Sequence, residues 1–395
     1  MPRSLTGSPS GGKGESAVHR RRAIRLLTAS ALATATMLAP AWAAPAAQHA
    51  GARRAERGDR SLPLREVAPM KAAAGSTADL PAAPPALEQR VPQRSDPAAQ
   101  DWLAAPLIPA PTVSFDGPGN TPGVFPADPV GDVGPDHYVA MNSRTFAIYA
   151  KTGGAPLYGP AANNTLWAGF GGACEAENRG QPMVVYDQFA DRWLLAQMTE
   201  TGPTRYVCVA LSTAGDPTGS YDRWAFSTGT NIPDQPKLGV WRDAYYLTTR
   251  ERDGATYVGV GAYALDRAEM LAGESAPQVV SFLLLAADWS AEIGDGLLPA
   301  DVDGATLPPA GAPAILLGTL DDGAVLGATQ DALQLWRFHV DFATPEDSTL
   351  LPAAALPMSA PFDTLFTSGC TGCIPQPGTA TLLDVLAYRQ RAQHR

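Results

Sequence analysis

The chain has 395 residues, a formal net charge of −10 and an abundance of glycine (38) and proline (37). Its length allows one large domain with additional terminal segments. The acidic balance argues against a nucleic-acid-binding protein, which needs a basic surface to displace counterions. Frequent glycine and proline favour many turns and short strands over long helices.

The N-terminus has the pattern of an export signal. His19 to Arg25 is strongly basic, Leu26 to Leu38 is short and apolar, and Ala41-Trp42-Ala43 is a small-x-small cleavage site. Residues 1–43 are therefore predicted to be a signal peptide that is cleaved after Ala43. The protein is expected in the periplasm, at the cell surface or outside the cell.

Two export routes fit this signal. Arg21-Arg22 hints at the twin-arginine route, but Arg25 interrupts the apolar positions that should follow, so the general route is preferred. The apolar core is too short to span a bilayer comfortably. No later stretch is long and apolar enough to cross, so no transmembrane segment is expected after cleavage.

Residues 44–111 differ in texture from the rest of the chain. They are rich in alanine, proline and arginine and show no sustained period of 3.6 or 2. Such a segment offers too little apolar surface to offset the entropy of ordering it. We predict that residues 44–111 form a disordered linker.

From Thr112 onward, aromatic and β-branched runs alternate with turn signals, in units of two to four short strands. Gln181-Pro182 and Gln235-Pro236 each open an apolar run, and their separation of about fifty residues lies in the range of propeller blades. Such units must stack on neighbours to bury both faces. Residues 112–395 are predicted to form an all-β domain of β-propeller-like repeats of short antiparallel strands. About four blades are recognisable, and a β-sandwich is the alternative.

Several motifs resemble those of an uncharacterised family of exported bacterial β-propeller-like proteins. They are Gly131 to Val139, Asn164 to Trp167 with Gly169 to Gly172, Tyr186-Asp187, Gly215 to Ser220, Pro236 to Trp241, Leu297 to Gly304 and Cys373 to Thr379. The resemblance implies export and a propeller-like fold, and it brings no established activity or catalytic residues.

The chain departs from this family at two places. Arg179-Gly180-Gln181-Pro182 stands where members tend to carry Asp-Gly-Asp-Pro, which weakens any metal site expected there. Members also continue with further strands past the Cys373 motif, whereas this chain stops at Arg395. A shortened copy with an open sheet edge is therefore one interpretation.

The four cysteines are predicted to be structural, since an exported protein meets an oxidising environment. Of three possible connectivities we favour Cys174–Cys208 and Cys370–Cys373. A redox role for the second pair is the alternative. The prolines that follow it oppose the helix that normally lowers a redox thiol pKa, and zinc would need a nearby histidine.

Acidic residues recur where each unit begins, near the loop that enters the innermost strand of a blade. Carboxylates from several blades could converge on the central channel and bind calcium. The alternative is that these residues build turns, and Asp301-Val302-Asp303-Gly304 is not an EF-hand because Ala312 occupies the closing position. The candidate calcium ligands are Asp132, Asp234, Asp301 and Asp303; further acidic residues at unit starts are Asp128, Glu175, Glu177 and Asp295.

No motif typical of a serine hydrolase, a zinc protease or a phosphate-binding loop is present in the sequence. The sequence therefore favours an exported binding or interaction module for a glycan, a peptide or an envelope component. One alternative is a carbohydrate-active hydrolase or lyase that uses carboxylates at the channel rim. Another is a truncated copy without independent function. Trp193, Trp241 and Trp336 are expected to pack blades together instead of stacking on sugars.

Overall fold

The computed structural model describes residues 50–73, 109–120, 127–294, 296–322, 327–359, 370–375 and 382–385. The predicted signal peptide and residues 74–108 of the predicted linker lie outside these ranges. Within them the protein is mostly β, and its strands form four antiparallel sheets of four or five strands, arranged like propeller blades, and one two-stranded sheet. The predicted fold class is confirmed.

Each of the four large sheets, which we call blades one to four, is built from four consecutive strands that pair with their neighbours in the chain. Blade one contains β3 (Val130–Val133), β4 (His137–Met141), β5 (Thr145–Ala150) and β6 (Tyr158–Ala162), and blade two contains β7 (Met183–Asp187), β8 (Arg192–Met198), β9 (Arg205–Ser212) and β10 (Tyr221–Gly229). Blade three contains β11 (Ile232–Val240), β12 (Ala244–Asp253), β13 (Thr256–Asp266) and β14 (Gln278–Leu285), and blade four contains β15 (Leu298–Pro299), β16 (Ala314–Leu320), β17 (Ala332–His339) and β18 (Thr349–Pro357).

The remaining elements are short. The two-stranded sheet pairs β19 (Cys370–Pro375) with β20 (Leu382–Val385). The helices are α1 (Gly172–Ala176), α2 (Arg267–Ala272) and α3 (Ala286–Ile293), and 3-10 turns span Leu64–Glu66, Asn163–Trp167 and Pro345–Asp347. No helix in the described ranges is both long and apolar enough to span a membrane.

The first strand of each blade lies against the first strand of the next. β3 packs on β7, β7 on β11, and β11 on β15. Because β8 and β9 lie between two neighbouring blades, they are buried on both faces, which explains their nearly continuous apolar sequences. β17, the third strand of blade four, instead alternates buried and accessible residues with the period of two expected for a half-buried strand.

Three clusters of buried residues fill the spaces between successive blades. Trp193 lies in the cluster between blades one and two, and Trp241 and Trp336 lie in the cluster between blades three and four. All three indoles are fully buried. The prediction that these tryptophans pack blades is therefore confirmed.

The predicted linker is wrong for residues 51–60, which form two ordered strands. β1 (Gly51–Arg54) extends blade three by pairing with β14, and β2 (Arg57–Arg60) extends blade two by pairing with β10. We call residues 50–73 the strap. Its order comes from backbone pairing at sheet edges and from ion pairs such as Arg223–Asp59 (2.7 Å), which need little apolar surface. Composition therefore gives no sign of it.

One predicted disulfide is confirmed. Cys174 of α1 is bonded to Cys208 of β9, and both residues are buried between blades one and two. The bond ties the short helix before blade two to the third strand of that blade. The side chains of Cys370 and Cys373 lie outside the described part of the structure, so their pairing stays a prediction.

Candidate functional site

One edge of the sheets collects polar residues from three blades. We call it the entry edge, because the first strand of each blade begins there. Since neighbouring strands are antiparallel, the connection between the second and third strands returns to the same edge. Val130 pairs with Met141 in blade one, Met183 with Ala196 in blade two, and Ile232 with Arg252 in blade three.

The chain enters these three blades through the same unusual backbone conformation. Asp128, Gln181 and Gln235 have φ values of 42°, 50° and 49°, and each immediately precedes a proline. This left-handed conformation costs a residue with a side chain about 1–2 kcal/mol. Such outliers persist only where surrounding contacts over-determine them, and they concentrate at functional sites.

Gln181 joins the entries of blades two and three. Its side-chain amide donates to Oδ1 of Asp234 at 2.6 Å, and its Oε1 accepts a hydrogen bond from the backbone N–H of Gln235. The Gln-Pro repeat of the sequence therefore marks both an architectural position and a direct contact between two of its own copies.

Blade one contributes through the turn between β4 and β5. The hydroxyl of Ser143 donates to Oδ2 of Asp128 at 3.4 Å. The guanidinium of Arg144 donates to the carbonyl of Asn178, whose side-chain amide donates back to the carbonyl of Arg144 at 3.0 Å. These contacts link blade one to the loop that precedes blade two.

Blade three contributes an acidic residue between two arginines. Asp234 on β11 lies opposite Arg250 on β12. Its Oδ2 is 3.5 Å from a terminal nitrogen of Arg250 and 3.2 Å from Nε of Arg252, and its side chain is 8% exposed. Arg250 and Arg252 are two positions apart on one strand, so both side chains project toward the face that holds Asp234.

Blade two contributes Glu200, in the connection between β8 and β9. Burial raises the pKa of Glu200 above its ordinary value; nearby Asp234 and Glu177 raise it further, and Arg179 and Arg252 oppose the rise. A terminal nitrogen of Arg179 is 4.0 Å from a carboxylate oxygen of Glu200, whose side chain remains 32% exposed. Glu200 is therefore a partly accessible carboxyl group that holds its proton more tightly than a glutamate in water.

Glu177 orders the connection between β8 and β9, which contains Glu200. Its carboxylate accepts hydrogen bonds from the backbone N–H of Glu200 at 2.9 Å and of Thr201 at 3.2 Å, and from the Thr201 hydroxyl at 2.5 Å. The residue is buried. Carboxylates that accept backbone hydrogen bonds in this way order a loop, so Glu177 positions Glu200.

The four predicted calcium ligands do not lie together. Asp234 is at the entry edge. Asp132 accepts a hydrogen bond from the backbone N–H of Tyr186 at 2.7 Å, and Asp301 accepts one from the backbone N–H of Val240 at 2.7 Å. These two carboxylates each connect one blade to the next, near the opposite edge. Asp303 follows Asp301 in the same connection. Calcium binding by Asp132, Asp234, Asp301 and Asp303 stays a prediction.

A different acidic group has metal-compatible spacing. One carboxylate oxygen from each of Asp321, Asp322 and Asp331 lies within 4.8 Å of the others, and among the described residues no other set of at least three such side chains is this close. The three residues flank the turn between β16 and β17 of blade four. Oδ1 of Asp331 also accepts from the backbone N–H of Asp322 at 3.0 Å, which is an ordinary turn contact.

Sequence reasoning identifies only part of the polar group at the entry edge, which we call the entry-edge cluster: Asp128, Arg144, Glu177, Arg179, Gln181, Glu200, Asp234, Arg250 and Arg252. It does not single out Glu200, Arg250 or Arg252. It marks Arg179 only as the loss of an acidic residue, and it marks Gln181 both as such a loss and as the start of a repeated Gln-Pro unit. The available signal is the alternation of Arg250 and Arg252 on a strand that follows Asp234. Pairing this strand with β11 places all three side chains together.

Two other acidic residues named from the sequence lie elsewhere or are not described. Glu175 of α1 accepts hydrogen bonds from the backbone N–H groups of Gly169 and Gly171, in the loop before this helix. Asp295 lies outside the described residues.

Comparison with known proteins gives distant structural similarities. The alpha-L-arabinofuranosidase of Lactobacillus brevis aligns with 14% identity and a TM-score of 0.30 over 57% of this chain and 73% of that one. A putative glycoside hydrolase of Parabacteroides distasonis aligns with 14% identity and a TM-score of 0.29, over 58% of this chain and 73% of that one. The endo-arabinase of Bacteroides thetaiotaomicron aligns with 14% identity and a TM-score of 0.31, over 68% of this chain and 95% of that one.

No protein-family model and no curated protein sequence matches the chain. The resemblance to an exported bacterial family that the sequence motifs suggest therefore stays a prediction. At such low identity and TM-score the chemistry of the site rests on its own residues.

Proposed function

We propose that the protein is a carbohydrate-active protein that binds a glycan at the entry edge of blades one to three and cleaves a glycosidic bond there. The observation that supports this proposal is the pairing of two unlike carboxyl groups. Burial raises the pKa of Glu200, whereas Asp234 faces two guanidinium groups. Glycoside hydrolysis uses two carboxyl groups in different environments: one is kept protonated by its surroundings, and the other is stabilised as a carboxylate.

In this proposal Glu200 is the general acid. A protonated carboxyl group can donate to the oxygen of the leaving sugar as the glycosidic bond breaks, and Glu200 is exposed enough to reach a bound ligand. Asp234 supplies the second carboxylate. Arg250, Arg252 and Gln181 hold it in place.

We further propose that the protein works outside the cytoplasm. The Cys174–Cys208 disulfide supports export, because such bonds persist in oxidising compartments. This agrees with the signal peptide that the sequence predicts.

The test measures whether the protein releases reducing ends from a panel of neutral and acidic polysaccharides. The full-length chain is expressed, and the secreted protein is assayed. General acid catalysis contributes typically 10²–10⁴-fold, so Glu200→Gln is expected to lower the rate by about that factor on whichever polysaccharide is cleaved. Glu292→Gln on α3 is the matched control. Burial also raises the pKa of Glu292, but it lies outside the site, so the rate should be unchanged.

A glycan-binding role without cleavage is the second candidate. It is favoured by the low exposure of Asp234, whose two oxygens are already engaged by Gln181 and by the two arginines. Binding of a polysaccharide by both the unmodified protein and Glu200→Gln, with no reducing ends released, would favour this role. Neither binding nor cleavage across the panel would contradict both.

A further inference from the structure

Four buried polar side-chain atoms form an unusual group between blades one and two. They are Oδ1 of Asn163, Nε1 of Trp167, Oδ1 of Asn178 and Oε1 of Gln197, and no residue in the described part of the chain forms a hydrogen bond with any of them. Asn163, Trp167 and Gln197 are each 0% exposed. Burying a polar group costs free energy unless a hydrogen bond replaces those that it makes in water, so these atoms require a partner of another kind.

The four residues belong to one region, which we call the junction. It comprises the 3-10 turn Asn163–Trp167, helix α1, Asn178 and Gln197 of β8, and the turn packs against α1. The Arg144 carbonyl accepts hydrogen bonds from the backbone N–H of Asn163 at 3.1 Å and from the side-chain amide of Asn178 at 3.0 Å. These two asparagines are therefore close neighbours, although the whole of α1 separates them in the chain.

The amide nitrogens fix the orientation of these side chains. The Gln197 nitrogen donates to the carbonyls of Cys174 at 3.0 Å and of Glu177 at 3.1 Å. The Asn163 nitrogen donates to the carbonyl of Asn142 at 2.8 Å. Turning either amide over would place its oxygen against a carbonyl oxygen, and two acceptors cannot form a hydrogen bond. The amide oxygens are therefore the atoms that still need a donor.

The partner of this group must both donate and accept. The three amide oxygens need a donor, whereas the indole N–H of Trp167 needs an acceptor. A water molecule supplies both, and buried waters typically make about three hydrogen bonds to groups of this kind. A metal ion would bind only the oxygens. Calcium and magnesium sites also use carboxylates, and all three of these oxygens are uncharged.

We propose that the junction binds buried water molecules, which donate to the three amide oxygens and accept from the indole N–H of Trp167. Each amide is already anchored to a backbone carbonyl through its nitrogen. The waters therefore join the turn that follows blade one, through Asn163, to a strand of blade two, through Gln197.

This water site lies beside the candidate general acid. Glu177 accepts from the side-chain amide of Gln197 at its backbone carbonyl, at 3.1 Å, and from the backbone N–H of Glu200 at its carboxylate, at 2.9 Å. Water bound in the junction therefore stabilises the segment that orders the Glu200 connection. The proposal holds whether or not a glycan is cleaved at the entry edge, so its failure and that of the proposed function are separate results.

The first test is a crystal structure of the secreted protein at a resolution that shows ordered water, from crystals grown with and without a chelator. We expect water oxygens at about 2.7–3.2 Å from Oδ1 of Asn163, Oε1 of Gln197 and Nε1 of Trp167. Protein donors at the two oxygens would overturn the proposal, and so would packing against carbon atoms alone. An ion at about 2.3–2.6 Å from the amide oxygens that the chelator removes would overturn it in favour of a calcium site.

A solution test uses Trp167→Phe, which removes the indole N–H and breaks no hydrogen bond among the described residues. Oxygen-17 relaxation dispersion of water counts the water molecules that stay bound for longer than the protein tumbles. The variant should lose at least one of them. Trp224→Phe is the matched control, because Trp224 is almost equally buried and its indole N–H donates to the Glu274 carbonyl at 2.8 Å. This variant should lose none.

Thermal melting shows whether Trp167→Phe folds. If it does not, Asn178→Leu replaces it, since Asn178 is less buried and its Oδ1 belongs to the same group. A loss of bound water that is confined to the junction variant supports the proposal. An unchanged count in the folded junction variant, or an equal loss in Trp224→Phe, contradicts it.

Discussion

The most quantitative prediction concerns Glu251, a buried carboxyl group on β12 that lies between Arg250 and Arg252 in sequence but faces the other side of the strand. The residue is 1% exposed. Its Oε1 accepts hydrogen bonds from the hydroxyls of Tyr263, at 2.8 Å, and of Thr249. Burial raises its pKa to about 7, although these two hydroxyls oppose the rise.

This pKa makes Glu251 a source of pH-dependent stability. A rise from the ordinary value of 4.5 to about 7 corresponds to about 3 kcal/mol, since each factor of ten in acid strength is worth about 1.4 kcal/mol. The folded protein holds the proton more tightly than the unfolded chain does. The contribution is therefore complete below pH 4.5 and is lost as the pH rises through about 7.

Glu251→Gln places a neutral group of nearly the same shape at this position. We expect the free energy of unfolding of the variant to exceed that of the unmodified protein by up to about 3 kcal/mol at about pH 8, and to come close to it at pH 4.5. Urea unfolding across this pH range measures the difference. Glu346→Gln, at an exposed position of the 3-10 turn Pro345–Asp347, is the control and should show no such trend.

The difference between the variant and the unmodified protein is what matters, because other carboxyl groups titrate in the same range. A difference that stays constant across this pH range would refute the argument that burial controls the proton of Glu251. A larger difference at low pH than at high pH would show that Glu251 is stabilised as an anion, which is the opposite of what its burial predicts.

Three further predictions concern bonds between elements. Cys208→Ser should lower the free energy of unfolding by roughly 2–5 kcal/mol, because it removes the disulfide to Cys174; denaturant unfolding measures it. Asp59→Asn should cost about 2 kcal/mol in the same assay, since charged hydrogen bonds to the buried Arg223 are lost. Asp301→Asn should lower the melting temperature equally in calcium and in chelator, because this carboxylate binds a backbone N–H of the neighbouring blade.

Each of these three has a control or a contradicting result. Adding a reducing agent should lower the free energy of unfolding of the unmodified protein by at least the loss seen in Cys208→Ser, because it also breaks the predicted Cys370–Cys373 bond. Arg65→Gln breaks the exposed pair with Asp216, so it should cost less than about 1 kcal/mol; a cost equal to that of Asp59→Asn would contradict the burial argument. A calcium-dependent rise in melting temperature that Asp301→Asn abolishes would restore the calcium site predicted from the sequence.

The blades could be predicted from the sequence because strand pairing between neighbours in the chain leaves a local signal. Alternating runs and turn residues lie within each unit, and the Gln-Pro dipeptide opens two of the units. The approximately four blades recognisable in the sequence correspond to blades one to four. The short helix α2 also begins at a local signal, because the Asp266 carboxylate accepts hydrogen bonds from the N–H groups of Ala268 and Glu269. Four cysteines leave three connectivities open, and the one favoured from the sequence contains the observed Cys174–Cys208 disulfide.

The strap could not be predicted, because its partners are distant in the chain. Gly51 pairs with Ser281 and Arg60 with Asp222, so the signal for order lies in other strands and not in the segment itself. A short basic segment with few apolar residues has the composition of a linker. Its order depends on open sheet edges and acidic partners that only the folded blades provide.

The candidate site could be predicted only as a location. The sequence predicts carboxylates where blades begin, and Asp234 does lie there. The spacing of residues in the sequence could not show that the carboxylates of Asp132 and Asp301 would accept hydrogen bonds from backbone N–H groups of a neighbouring blade. It also could not show that a glutamate from a strand connection in blade two, Glu200, would lie near enough to Asp234 of blade three for the two carboxyl groups to interact electrostatically.

The strap and the site are connected through the blades that they share. The strap pairs with blade three through β1 and with blade two through β2. It then reaches blade one, where the Val67 carbonyl accepts from the hydroxyl of Tyr158 at 2.9 Å and the Met70 carbonyl accepts from the backbone N–H of Ala162 at 2.8 Å. These are the same three blades that supply the entry-edge cluster.

The cluster depends on contacts across two blade boundaries, between Arg144 and Asn178 and between Gln181 and Asp234. A strap that binds the outer edges of these blades opposes their separation, while the three buried clusters hold them from within. Variants that loosen the strap, such as Asp59→Asn, should therefore weaken ligand binding at the entry edge as well as stability. This holds although Asp59 belongs to an outermost strand and the ligand would bind where the innermost strands begin.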